Sequence, residues 1–248
     1  MTDSQRTDDE IAELYGFLSG VLADAPEAEG VSQLLDEEYP HDASPQAVQN
    51  GFQLLREWQT SVDDPEAEAK RLNGSHTSLF IGPHPKMQAY ESWYADDFHG
   101  QPLAAVKGTI KDLGLEFGDL REEPDFVAVE LAILQVLAAE GDDELRRAFF
   151  HMHGWWLPEV AADIKQLADD TFYEAVGWLL EGVLQADAYT LSVDLDKLEP
   201  GYQLEADVPT EEELTTTEAF VPPTGEDGAA GPAPGEEPPG DPPEEFQG

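Results

Sequence analysis

The residues with the most usable chemistry lie in two short stretches that are predicted to be loops. The first follows the Gly82-Pro83 pair, which ends a helical pattern containing Phe80, and it carries the run Tyr-Glu-Ser-Trp-Tyr at residues 90–94. Loops tend to run over the protein surface. The three rings Tyr90, Trp93 and Tyr94 therefore either pack the loop onto the protein or form an apolar floor for a partner peptide, and the residue types leave both interpretations open.

The second stretch is the tripeptide Glu123-Pro124-Asp125, which precedes a long apolar segment. Proline is favoured in the first turn of a helix and acids there complement the helix dipole, so the tripeptide is explained as a helix start alone. Alternatively, one carboxylate stays free to accept from an arginine guanidinium, which pairs bidentately with carboxylates. We expect the two loops to face each other across an apolar cleft and to grip a peptide there.

Patterns typical of catalysis or metal binding are missing from the sequence. It contains no nucleophile elbow, no glycine-rich phosphate loop, no His-Glu-x-x-His and no cysteine. His151 and His153 lie two residues apart on a predicted helix, so they point about 200° apart and do not favour a shared metal. No catalytic residue, cofactor or metal is predicted, and we do not expect an enzyme.

The charge of the chain is extreme. Its 248 residues include 54 acidic and 12 basic side chains, which gives a net charge of −42. This balance is typical of halophilic proteins, because molar salt with a Debye length of about 3 Å screens acidic repulsion. The alternative is an acidic face that attracts a basic partner. No basic stripe is present, so binding of nucleic acid is not expected.

Targeting signals are not evident in the sequence. The N-terminal residues are polar and lack the apolar region of a signal peptide. No run of about 18 apolar residues is present, so stable insertion into a membrane is not expected either. The predicted compartment is the cytoplasm.

Apolar residues recur at helical spacing along most of the chain, which predicts an all-α domain of roughly nine helices over residues 1–200. Ser44-Pro45 and Asp64-Pro65 are predicted helix starts, and the helix from Pro65 toward Phe80 is expected to weaken near Asn73-Gly74. The most apolar helix is expected to begin at Glu123 and to be central. Leu145, Phe149 and Met152 are expected on the inward side of a later helix.

The composition changes near residue 200. Residues 201–248 contain no lysine or arginine and are rich in proline, glycine and glutamate. Such a segment buries too little apolar surface to offset its ordering entropy, so we predict a disordered acidic tail. Tyr202 and Leu204 are expected to be solvated.

Three motifs in this sequence resemble one protein family. Residues 79–83 (LFIGP), 90–94 (YESWY) and 123–126 (EPDF) resemble, in order and spacing, the LF-x-GP, YES-x-Y and EPDH motifs of the TorD/DmsD family. The resemblance extends over about residues 8–188. Phe126 replaces the usual histidine of the third motif, and the tyrosine and arginine that usually precede the first motif are missing.

The resemblance implies an all-helical cytoplasmic chaperone for a molybdopterin-containing reductase of the dimethyl sulfoxide, trimethylamine N-oxide or nitrate type. Such a chaperone binds the twin-arginine leader or the body of the catalytic subunit, assists cofactor insertion before export, and is a monomer or a domain-swapped dimer. The expected peptide-binding residues are Phe80, Gly82, Pro83, Tyr90, Glu91, Ser92, Trp93, Glu123, Pro124, Asp125 and Phe126. One alternative is an acidic scaffold that binds through its tail. A hydrolase or nucleotide-dependent enzyme is the other alternative, and the missing phosphate loop disfavours it.

Overall fold

The computed structural model describes residues 3–116 and 122–204, and this part of the chain is built from α-helices without a strand. The ten α-helices are α1 (Asp3–Ala23), α2 (Ala28–Asp36), α3 (Gln46–Ser61), α4 (Pro65–His76), α5 (Glu91–Tyr94), α6 (Gln101–Asp112), α7 (Val127–Glu140), α8 (Asp143–His153), α9 (Leu157–Leu167) and α10 (Thr171–Leu191). A π-helix, Thr77–Ile81, continues α4, and short 3₁₀ turns span Leu195–Lys197 and Gly201–Leu204. The prediction of an all-α fold is confirmed.

The two most apolar helices, α7 and α10, form the centre of the core. Helix α1 packs along α7, while α3 and α9 pack along α10. The close approach of α3 to α10 depends on two glycines, because a Cβ at Gly51 would lie 2.6 Å from Leu179 Cγ and one at Gly182 would lie 2.6 Å from the backbone nitrogen of Val48. The central place of α7 was predicted correctly, because apolar residues cover most of the circumference of this helix.

Some predicted helix boundaries are confirmed and others are wrong. Asp64 caps α4 by accepting from Glu66 N at 3.0 Å, as its sequence pattern indicated. Ser44 caps nothing, because α3 begins at Gln46 with Pro45 as its N-cap residue. Helix α4 runs without interruption through Asn73 and Gly74, since the packing of Leu72 in the core outweighs their weak helix propensity.

Three further expectations are corrected by the structure. Helix α7 begins at Val127, so the Glu123-Pro124-Asp125 segment is a turn before the helix and not its first turn. Leu145 is exposed, whereas its neighbour Arg146 in the first turn of α8 is buried, so the inward face at this end of the helix is formed by Arg146. Tyr202 is partly buried, since the 3₁₀ turn that carries it contacts α8 and α6. The remainder of the predicted tail, from residue 205, lies outside the described residues.

A buried ionic cluster joins α1, α8 and α10. The guanidinium of Arg146 is fully buried and lies 2.9 Å from Asp8, 2.8 Å from Asp143 and 3.2 Å from Asp187. Tyr15 OH donates to the Asp187 carboxylate at 3.0 Å. Burial raises the pKa of Asp187 to about 6, although the charge of Arg146 opposes this shift.

No helix within residues 3–116 and 122–204 is long and apolar enough to cross a membrane.

Candidate functional site: an aromatic surface with an acidic rim

The first predicted loop begins at the C-terminal end of the π-helix. Gly82 N donates to Thr77 O at 2.7 Å, and a Cβ at Gly82 would lie 2.9 Å from the same oxygen, so only glycine fits this turn. Phe80 is buried against His76 and Tyr173, with ring centroids 5.2 and 5.9 Å apart. Phe80 and Gly82 therefore shape the start of the loop, and π-helical turns of this kind occur frequently at functional sites.

The two predicted loops are in direct contact. Tyr90 and Phe126 form an isolated antiparallel bridge, with Val127 N donating to Ala89 O at 2.9 Å and Glu91 N donating to Asp125 O at 2.9 Å. The Tyr90 and Phe126 rings pack together with centroids 5.1 Å apart. These backbone hydrogen bonds fix the position of α5 relative to the start of α7.

Asp125 is buried at this junction, although it was expected to present a carboxylate to a ligand. Its Oδ2 atom accepts from Ser92 N at 3.1 Å and so caps the first turn of α5. Its Oδ1 atom and the Ser92 hydroxyl are also buried, and neither has a hydrogen-bond partner among the described residues. Buried polar atoms are normally paired, so Asp125 Oδ1 is an unused acceptor beneath the loops.

Glu91, another predicted peptide-binding residue, points into the core. Its carboxylate lies 2.9 Å from His153 Nδ1 and accepts from Trp155 Nε1 at 2.9 Å. The second ring nitrogen of His153 lies 2.9 Å from the Thr109 hydroxyl. Burial raises the pKa of Glu91, and the contacts with His153 and Trp155 lower it in part. Glu91 thus ties α5 to α8 and to the turn that follows α8.

A second buried carboxyl group lies close to Glu91. Glu130 on α7 is fully buried and accepts from Trp156 Nε1 at 3.0 Å. Burial raises the pKa of Glu130 well above its ordinary value, and the charge of Glu91 raises it further. An acid that is desolvated and faces a like charge favours its neutral form, so Glu130 keeps its proton to a higher pH than an ordinary glutamate does.

The exposed part of the site is a cluster of three rings, Tyr90, Trp93 and Phe98, which we call the aromatic surface. Trp93 is 52% exposed and Phe98 is 49% exposed. Phe98 lies edge-on to both neighbours, with centroid distances of 5.9 Å to Tyr90 and 6.1 Å to Trp93. Phe126 supports Tyr90 from below. Exposed clusters of large apolar rings are typical of interaction sites on proteins.

Carboxylates border the aromatic surface. Tyr90 OH donates to the Glu122 carboxylate, and burial together with this contact raises the pKa of the Tyr90 hydroxyl. Glu123 is about half exposed, and its carboxylate lies 3.3 Å from Lys107 Nζ on α6. The acidic rim, formed by Glu122 and Glu123, therefore stands beside rings that are open to a partner.

Among the described residues, the Tyr90 and Phe126 rings pack together at the junction of the two loops, and the exposed feature beside this junction is the aromatic surface. A groove of about 610 Å³ lies elsewhere, lined by residues of α9, α10 and the turn after α10. Tyr189, which is 88% exposed, stands at this groove.

Several residues that build the site were not singled out from the sequence. Phe98 lies only four residues after Tyr94, so the density of aromatic residues in this stretch was a usable signal. Glu122 adjoins the recognised tripeptide. His153 was considered from the sequence as a metal ligand and set aside. Its contact with Glu91, like that of Trp155, was not predicted, because the partners lie 62 and 64 positions apart and no local pattern encodes such contacts.

Among the described residues, the fold and this site define a helical protein without a strand and with an aromatic surface beside two acidic side chains. A sequence model of the family described as "Nitrate reductase delta subunit" matches residues 42–169, just over half of the chain. The protein therefore belongs to the nitrate reductase delta subunit family, the NarJ/TorD type of redox-enzyme maturation chaperones. Chaperones of this family work with the catalytic subunits of molybdoenzymes. No curated protein matches the chain.

Proposed function

We propose that this protein is a maturation chaperone that binds the twin-arginine leader of a molybdopterin-containing reductase subunit through the aromatic surface. In this role it assists cofactor insertion before export and acts by binding, without catalysis. The single observation that supports the proposal most is the exposure of Trp93 and Phe98 beside the Glu122 and Glu123 carboxylates. The match to a family of maturation chaperones supports a reductase subunit as the class of client.

The chemistry of a twin-arginine leader is complementary to this surface. Such a leader carries two adjacent guanidinium groups followed by an apolar stretch. Burying an aromatic side chain contributes about 1.5–3 kcal/mol, and a hydrogen bond to a charged group contributes about 1.5–3 kcal/mol. Trp93 and Phe98 would cover the apolar stretch while Glu123 accepts from a guanidinium. These short-range contacts persist in high salt, where long-range steering is screened.

In this proposal the Asp125 carboxylate is a second acceptor for a client guanidinium, and it lies beneath the surface at which Glu123 is exposed. Its Oδ1 atom is buried without a partner among the described residues, so a guanidinium that reached it would satisfy an unused acceptor. Because Asp125 is buried, this contact requires the covering side chains to move aside. The Asp125→Asn variant can keep the cap on Ser92 N through its amide oxygen, so it removes the charge and leaves α5 in place.

The test is direct binding of a labelled peptide that has two adjacent arginines followed by an apolar stretch. We expect Trp93→Ala to weaken binding about tenfold or more, because a large apolar contact is lost. Tyr189→Ala is the matched control, since this tyrosine is exposed at the separate groove. If Tyr189→Ala binds weakly and Trp93→Ala keeps the wild-type affinity, the client binds at that groove, and the aromatic surface is rejected as the binding site.

The charge component is tested in the same way. Glu123→Gln and Asp125→Asn are each expected to weaken binding several-fold, while Glu140→Gln at the far end of α7 leaves it unchanged. Equal affinity in all three variants would exclude the carboxylates from recognition. Far-ultraviolet circular dichroism of each variant shows whether the helical fold is kept.

We also propose that residues 1–200 form the chaperone domain and that the acidic tail is dispensable for client binding. Because Gly201–Leu204 contacts α8 and α6, the informative truncation removes residues 205–248 only. The truncated chain is expected to bind the leader peptide like the full chain. Loss of the client on truncation would favour an acidic scaffold that binds through its tail.

A further inference from the structure

The acceptor that is proposed to receive the client's guanidinium is already paired within the protein. Glu123 Oε2 lies 3.3 Å from Lys107 Nζ, and both side chains are about half exposed. Lys107 projects from α6, a separate helix that contacts α5. The pair therefore joins α6, which packs against α5, to the turn that carries the acidic rim.

We propose that Lys107 is a built-in competitor for Glu123 and sets the affinity of the site for a cationic client. The inference rests on the proposed function. In the free protein the ammonium group occupies the carboxylate, and a client guanidinium must displace it. The displaced lysine returns to solvent at little cost, because its side chain is already half exposed.

The chemistry of the two cations makes this exchange favourable. The lysine ammonium interacts with a carboxylate as a point charge, whereas a guanidinium donates two parallel hydrogen bonds. An exposed ion pair changes a binding constant by up to about fivefold, so Lys107 moderates client affinity without abolishing it. A moderate affinity suits a chaperone, which must release its client after maturation.

The composition of the chain supports a specific role for this lysine. The protein has 12 basic side chains against 54 acidic ones, so each lysine could form an ion pair with any of many carboxylates. Lys107 is nevertheless placed on the carboxylate of the motif that is proposed to bind the client. Lys111 lies one turn further along α6 and is exposed, so it provides a matched control on the same helix.

The experiment is a double-mutant cycle on the full chain, with the labelled twin-arginine peptide as the probe. Affinities are measured at one ionic strength at which circular dichroism shows every variant to be folded. Lys107→Ala is expected to tighten binding about two- to fivefold. Lys111→Ala reports the general effect of removing one positive charge from α6, and we expect a smaller change because this charge is not on Glu123.

The decisive comparison uses the Glu123→Gln background. There, Lys107→Ala is expected to change the affinity no more than Lys111→Ala does, because the contested carboxylate is gone. An equal gain in both backgrounds, or no gain beyond that of Lys111→Ala, would overturn the role of Lys107. In that case Trp93→Ala still tests the proposed site. Failure of the wild-type chain to bind the peptide would reject both proposals together.

Discussion

The carboxylate of Glu91 lies 2.9 Å from Nδ1 of His153, and both side chains are fully buried. Glu91 belongs to the Tyr-Glu-Ser-Trp-Tyr motif at residues 90–94, and its burial divides the residues of that motif into two groups. Tyr90 and Trp93 contribute to the surface, whereas Glu91 and Ser92 hold α5 against α7 and α8. A short motif therefore combines groups that can touch a client with groups that position them.

The first prediction concerns Glu91. Replacement by alanine removes the acceptor of both His153 and Trp155, and leaving buried donors unpaired costs about 1–3 kcal/mol. We expect Glu91→Ala to lower the free energy of unfolding by that amount and to weaken leader binding through displacement of α5. Urea unfolding followed by tryptophan fluorescence measures the first effect. Glu140→Ala, an exposed helical position, is the control, and similar stability of the two variants would contradict the positioning role.

The second prediction concerns the pH dependence that Glu130 causes. Its pKa in the folded protein is raised, so the native state binds an extra proton between the ordinary glutamate pKa of about 4.3 and the raised value. Its contribution to stability is therefore greatest at low pH and is lost as the pH rises through the raised pKa. Glu130→Gln stays neutral and can keep an acceptor for Trp156 Nε1.

We therefore expect the stability of Glu130→Gln relative to the wild type to increase as the pH rises above about 4.3. Urea midpoints of both proteins, measured at a series of pH values at constant ionic strength, give this difference. A difference that stays constant with pH would show that Glu130 titrates normally in the folded state.

The third prediction concerns the ionic cluster around Arg146. Removing one partner of a buried ion pair leaves uncompensated charge and costs about 3–5 kcal/mol. Arg146→Met is expected to lose that much stability at neutral pH, because Asp187 and Asp8 lose their guanidinium. Arg147→Met, at the exposed neighbouring position, is the control. Chemical denaturation of both variants provides the comparison.

This penalty is also expected to depend on pH. Arg146 holds down the pKa of Asp187, which is about 6 even with the guanidinium present. Without Arg146 the folded pKa rises further above the unfolded value of about 3.9, so the variant loses stability as the pH increases. Arg146→Met is therefore expected to be closer to the wild type at pH values below 6 than at pH 8. An equal penalty at both would show that Asp187 does not titrate in this range.

The sequence predicted the helices well where a stripe of apolar residues dominated. The long apolar segment after Phe126 was correctly expected to be central, and Asp64 was correctly expected to cap its helix. Boundaries failed where local preference and packing disagreed. Asn73 and Gly74 weaken a helix in isolation, but the burial of neighbouring Leu72 keeps α4 continuous.

The candidate site was only partly predictable. The sequence brought the two motif loops to attention, and the structure places them in direct contact through Tyr90 and Phe126. From the sequence alone, one could not tell that Asp125 faces inward while Glu123 stays at the surface. Binding of a peptide by this surface remains a prediction.

By itself, the sequence determined the class of fold, the order of the helices, the acidic balance and the motifs of the family. Each of these follows from residue type and from spacing along one helix or loop, which are local properties. Only the tertiary structure decided that Glu91 meets His153, that Asp125 caps α5 and that Lys107 reaches Glu123. These contacts join distant positions, and they depend on how whole helices pack, because packing sets which face of each loop is left open to a partner.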